Sequence, residues 1–92
     1  MDKRELISAV ARMNPKMMKK DIGEILDAIL FNITDELSYG GSVDLKNFGS
    51  FRVVEYKERY GTNPKTGERI FIPARKVAVF RPGKRLRDEV DN

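Results

Sequence analysis

Arg59-Tyr60-Gly61-Thr62-Asn63-Pro64-Lys65-Thr66-Gly67-Glu68-Arg69-Ile70-Phe71 is the stretch whose reading decides the fold. Turn formers crowd its centre, and charged and aromatic residues flank them on both sides, as where two strand ends meet at a hairpin tip. Few apolar residues lie near that tip, so it has nothing to pack against and is expected to project into solvent.

Away from the tip, both limbs become apolar. The outgoing strand starts at Ser50 with Phe51 and Val53 on one face, which continues as Glu55, Lys57 and Arg59, while Val54, Tyr56 and Tyr60 take the other. The return strand, roughly Arg69 to Arg81, leads back to Val77, Val79 and Phe80, with Pro73 at an edge or bulge. Ahead of the hairpin, Val43 and Leu45 alternate with Ser42, Asp44 and Lys46 in a short strand that turns at Asn47-Phe48-Gly49.

The N-terminal half has a different period. Asp2 followed by Glu5 reads as a capping box ahead of Leu6, Ile7, Val10 and Met13, predicting a helix over Lys3 to Met13 that Asn14-Pro15 interrupts. From about Lys19, the residues Ile22, Ile25, Leu26, Ile29, Leu30, Ile33 and Leu37 recur at helical spacing, with Phe31 widening the apolar face, until Gly40-Gly41 ends the helix. A face that broad needs more cover than one short helix supplies, which points to a partner chain. At the other end, Pro82 suits a helix start, and Leu86 with Val90 gives a short basic helix one apolar stripe.

The chain therefore reads as an α+β protein: two N-terminal helices, a three-stranded antiparallel sheet with a protruding β-hairpin arm, and a short C-terminal helix. One domain is expected over residues 1–92, with a helical dimerisation base at 1–41, a sheet at 42–81 carrying an arm at about 55–75, and the last helix at 82–92. With its projecting part, from about Tyr60 to Ile72, set aside, about 80 residues remain for a core, near the size at which a lone core is marginal. Oligomerisation is the remedy.

Neither cysteine nor histidine is present among the 92 residues. No disulfide staples the fold, which fits a reducing compartment, and the commonest zinc ligand and general base are missing together. No metal, cofactor or small-molecule substrate is expected. Glu55, Glu58 and Glu68 lie among basic residues with no nucleophile nearby and read as solvated salt-pairing groups, so an enzyme is not expected. The charged start and the lack of a long apolar run exclude a signal segment or membrane span from the expectation, which is a soluble cytoplasmic protein.

Charge is unevenly placed. The net charge is +4, yet the first 40 residues carry 6 basic and 7 acidic side chains, against 12 and 7 in the remaining 52. From Arg52 to Arg87 there are 11 basic and 3 acidic residues, so the positive field sits on the hairpin and on the segment C-terminal to it. A solvated basic face and a nucleic-acid surface both fit that distribution. Asn63-Pro64 at the tip tilts the reading, because proline is compact, apolar and rigid and can be pressed between stacked bases as a minor-groove wedge. Lys57, Arg59, Lys65, Arg69, Arg75 and Lys76 would recover the unstacking cost by neutralising phosphates. A plain surface turn is the alternative for the tip, and Tyr56, Tyr60 and Phe71 read as ordinary strand aromatics.

In combination, Asn47-Phe48-Gly49-Ser50-Phe51, the tip from Gly61 to Glu68, Ile72-Pro73, and Phe80-Arg81-Pro82-Gly83-Lys84 with Leu86 resemble the bacterial DNA-bending family of HU and integration host factor. The resemblance covers nearly the whole chain, including Lys3 and the Glu5-Leu6-Ile7 opening. It implies an intertwined dimer, a homodimer or a heterodimer with a paralogue, in which Phe48, Phe51 and Phe80 pack in a shared core. Two β-arms would embrace the minor groove of double-stranded DNA, with Pro64 as the intercalating wedge, Arg59 and Asn63 on the arm, and Lys3 and Lys84 at phosphates on the body. A nucleoid-associated role is implied by the same resemblance.

This chain departs from the family pattern at three arm positions. Thr62 stands where the tip is usually Gly-Arg-Asn-Pro, and Val54 and Tyr56 stand where HU-like chains often have arginines; Arg52, Lys57 and Lys65 compensate in part. Lys46 occupies a position that can be basic in integration-host-factor-like chains and apolar in HU-like ones, which hints at the former subgroup, and with Asn63 it is expected among the DNA-binding residues. Three functions compete: sequence-tolerant architectural DNA bending, site-specific bending of an integration-host-factor type, and a protein-interaction module whose hairpin adds to a partner's sheet. The charged arm edge argues against the last.

Overall fold

The computed structural model describes residues 1–91. Its elements run α1 (Lys3–Met13), α2 (Lys19–Ser38), β1 (Val43–Leu45), β2 (Gly49–Tyr56), β3 (Arg59–Thr62), β4 (Arg69–Ile72), β5 (Arg75–Pro82) and α3 (Lys84–Asp91). The architecture is the expected α+β one. The chain divides into two compact units, Met1–Asp35 and the part from Glu36 onward, with the division inside the last turn of α2.

In the first unit, the Asp2 carboxylate accepts the Glu5 N–H at 2.9 Å, capping α1 as the sequence predicts. Asn14 ends it by donating its N–H to the Ala11 carbonyl and its side-chain amide to the Val10 carbonyl. Ile22 on α2 is buried, and a Cβ at the neighbouring Gly23 would stand 3.5 Å from Ile7 Cδ1, so the two helices meet there at ordinary van der Waals distance. The end of α2 is a Schellman motif: Gly41 N–H donates to Glu36 O, Gly40 N–H to Leu37 O, and Gly40 takes φ +81°.

The second unit is built on a three-stranded antiparallel sheet of order β1-β2-β5. Phe48 N–H bonds Leu45 O and Asn47 sits at φ 68°, so the first turn closes one residue earlier than the sequence suggests and releases Gly49 into β2. The register pairs Gly49 with Pro82 and Phe51 with Phe80. Phe80 is the hub of an aromatic cluster, with ring centroids 4.9 Å from Phe51 and 5.4 Å from Phe48. Pro82 is therefore the last residue of β5 and not the start of the final helix, which begins at Lys84; Gly83 between them donates to Phe48 O and accepts from Arg87 N–H.

The long strands are each broken. Tyr56 pairs with Arg75 as the last rung of the body sheet, and Arg59 with Ile72 starts a separate two-stranded sheet of β3 and β4. Pro73 has no N–H to offer, so the ladder cannot run through it, and Lys57-Glu58 on the facing strand lose their partners. Among the described residues no helix is long and apolar enough to cross a membrane, and no cluster of acidic, histidine or cysteine side chains could hold a metal.

The aromatic cluster depends on one missing side chain. A Cβ at Gly49 would lie 2.6 Å from the Arg81 carbonyl oxygen and 2.6 Å from Phe80 Cζ. Gly49→Ala is expected to lower stability by about 1–3 kcal/mol, the usual cost of overpacking; a urea unfolding midpoint equal to that of the unaltered protein would overturn this.

Candidate nucleic-acid interface

Along the arm, residues paired across the ladder share a face. Tyr60 with Phe71 and Thr62 with Arg69 make one; Arg59 with Ile72 and Gly61 with Ile70 make the other. On the second, Ile72 Cδ1 would be 3.1 Å from a Cβ at Gly61, so the isoleucine closes over the glycine. On the first, the Tyr60 and Phe71 rings meet edge to face at 5.5 Å, and the Arg69 guanidinium lies over Tyr60 at 4.3 Å from its centroid. Aromatic contact and cation–π attraction thus stiffen a ribbon that has no core of its own.

The same pairing recurs at the base of the arm, where the Arg75 guanidinium stands 5.5 Å from the Tyr56 ring centroid. Linear sequence hides these contacts, because they require the register. The register also places an arginine opposite two of the positions at which the arm departs from the family pattern: Arg75 faces Tyr56, and Arg69 faces Thr62. Val54 faces Val77 and has no such counterpart.

Between β3 and β4 the tip is a compact turn. Asn63 N–H donates to the Glu68 carbonyl and the Asn63 carbonyl accepts from Gly67 N–H, both at 2.8 Å. The Asn63 side-chain oxygen accepts the Lys65 N–H at 2.9 Å, Thr66 Oγ1 accepts the Glu68 N–H at 3.3 Å, and Gly67 takes φ +75°. Asn63 is half-buried, whereas Pro64, Lys65 and Thr66 are exposed.

The residues singled out from sequence fall into four groups. Arg59, Asn63, Pro64, Lys65 and Arg69 lie on the arm and its tip; Lys57, Arg75 and Lys76 lie at its base, with Lys76 opposite Glu55. Lys46 is exposed in the β1–β2 turn and Lys84 opens α3, its ammonium 4.0 Å from Asp88. Lys3, in the helical unit, is engaged by Asp27, a pairing that sequence spacing does not reveal. Both partners are more than half exposed, so the pair is weak and water or a phosphate can replace it. Among the described residues none of the arm's cations is in an ion pair, so the salt pairing expected of Glu55, Glu58 and Glu68 is not formed, although Glu55 stands opposite Lys76 across the ladder.

Comparison with known proteins agrees with this geometry. A family model described as bacterial DNA-binding protein matches residues 1–91. DNA-binding protein HU-1 of Halalkalibacterium halodurans is 48% identical over 91 residues, 99% of this chain and 100% of that one. DNA-binding protein HU 1 of Bacillus subtilis is 47% identical over 90 residues, 98% of this chain and 97% of that one. Among solved structures, an Anabaena HU–DNA cocrystal structure is similar with a TM-score of 0.86 and 43% identity, covering 98% of this chain and 97% of that chain. With the fold, the basic arm and these similarities in agreement, the chain belongs to the bacterial DNA-binding protein family of which the HU proteins are members.

Proposed function

We propose that the protein is a non-enzymatic architectural DNA-binding protein of the nucleoid. It acts as a dimer that lays two β-arms in the minor groove and bends the duplex at its Pro64 wedges, with little sequence preference. The observation that carries this reading is the arm: a separate two-stranded ribbon with unpaired cations, ending in an exposed proline held by a hydrogen-bonded turn. A phosphate-contacting surface needs uncompensated charge, and a wedge needs a rigid apolar tip without its own packing partners. The similarity to an HU–DNA cocrystal structure supports the same assignment.

Dimerisation is supported by burial. Ile22, at 5% exposure, is the one large hydrophobic side chain buried in the chain alone among the described residues. Ile25, Ile29, Leu30 and Phe31 on α2, and Phe48 and Phe80 around the sheet, are all more than a third exposed. Exposed apolar area of that extent marks an interface, and we assign it to a second copy. The purified chain on its own is expected to sediment at twice its formula mass; a monomer at micromolar concentration would sink the homodimer and favour a paralogue as partner.

Pro64→Ala removes the wedge and keeps every charge. End-to-end energy transfer on a labelled duplex is expected to drop sharply while affinity changes by only a few fold; equal loss of both counts against intercalation. Arg59→Ala is expected to weaken binding similarly on unrelated sequences and to lower the slope of log affinity against log salt by about one unit or less. An unchanged slope in a salt titration would remove Arg59 from the phosphate contacts.

A further inference from the structure

We propose that Asn63 is a positioning residue that pre-sets the Pro64 wedge, and that its side-chain oxygen acts on the arm rather than on DNA; this rests on the assignment of Pro64 as a wedge. Three hydrogen bonds converge on this one residue. Its N–H closes the arm ladder on Glu68 O, its carbonyl accepts from Gly67 N–H four residues on, and its side-chain oxygen accepts from Lys65 N–H. The backbone of residues 63–67 is thereby closed into a single turn that brackets Pro64.

The rest of the turn is matched to that closure. Pro64 directly succeeds Asn63, where its missing N–H leaves no donor unsatisfied and its ring removes freedom at φ. Gly67 has φ +75°, with nothing within 4 Å of where a Cβ would stand, so glycine is required there by backbone conformation and not by space. Thr66 Oγ1 takes the Glu68 N–H, and the turn's inward-facing backbone donors at 63, 65, 67 and 68 all have partners within the arm. A wedge enters a base stack efficiently when its conformation is set before contact, because ordering a loop on binding subtracts from affinity. Asn63 supplies that order, half-buried behind an exposed proline.

Full-length protein carrying Asn63→Ala, Asn63→Ser, Pro64→Ala or the double change Asn63→Ala with Pro64→Ala provides the test. Amide exchange at Lys65 and Gly67 reads the turn in free protein, and energy transfer on saturated duplex reads the bend. Asn63→Ala is expected to speed Lys65 exchange about three- to tenfold, the effect of losing a capping oxygen, and to reduce the bent fraction. Asn63→Ser, which keeps an acceptor oxygen, is expected to restore most of both, and the double variant to bend no less than Pro64→Ala alone. Full bending by Asn63→Ala overturns the proposal, as does a bend that serine fails to restore, which would make the carboxamide a DNA contact. Full bending by Pro64→Ala would overturn the wedge itself; the exchange rates would then still tell whether Asn63 holds the turn.

Discussion

Burial is the constraint on which the rest of this structure depends. A chain that buries Ile22 and little else cannot offset its conformational entropy alone, since ordering each residue costs about 1–2 kcal/mol and apolar burial is the main term that opposes it. The sequence nevertheless invests heavily in apolar surface on α2 and around Phe48 and Phe80. That surface becomes useful only when covered, so folding and assembly are one process in the proposed dimer. Residues that look superfluous in one chain are then the core of two.

The sheet keeps its order through backbone geometry more than through bulk. Gly49 lets Phe80 and the β5 backbone approach β2 closely, and Gly83 sits beneath the Phe48 carbonyl. The ring cluster of Phe48, Phe51 and Phe80 results from those approaches and from the register that pairs Phe51 with Phe80. The arm replaces a core with local devices: crossed rings, a guanidinium on a tyrosine face and a tip closed by its own hydrogen bonds. Among the described residues none of its cations is in an ion pair, although Arg69 and Arg75 lie against tyrosine rings.

Much of this fold is legible in the sequence alone. Period and punctuation locate the first helix over Lys3 to Met13, the start of the second at about Lys19 and its end ahead of Gly40-Gly41, because Asp2, Pro15 and the glycine pair act through local chemistry. Hairpin and tip are equally local. Three things are not: the turn at Asn47, the strand ending at Pro82 and the double break beside Pro73 each depend on which residues face one another. A proline next to a glycine fits a helix start or a strand end equally well until Gly49 is known to stand opposite. Likewise the pairing of Lys3 with Asp27, 24 residues apart, and of Arg69 with Tyr60 exists only in three dimensions. Legibility ends where register begins.

The double break has a mechanical meaning. Two unpaired residues on each limb separate the last rung of the body sheet from the first rung of the arm. A ribbon interrupted in both strands at one level bends there more readily than anywhere along its paired lengths, so compliance is concentrated at a joint while the tip stays stiff. In the proposed complex such a lever would let the body's contacts and the tip's insertion be satisfied at different mutual angles. Duplexes of unequal curvature would then be held by one protein without refitting either end.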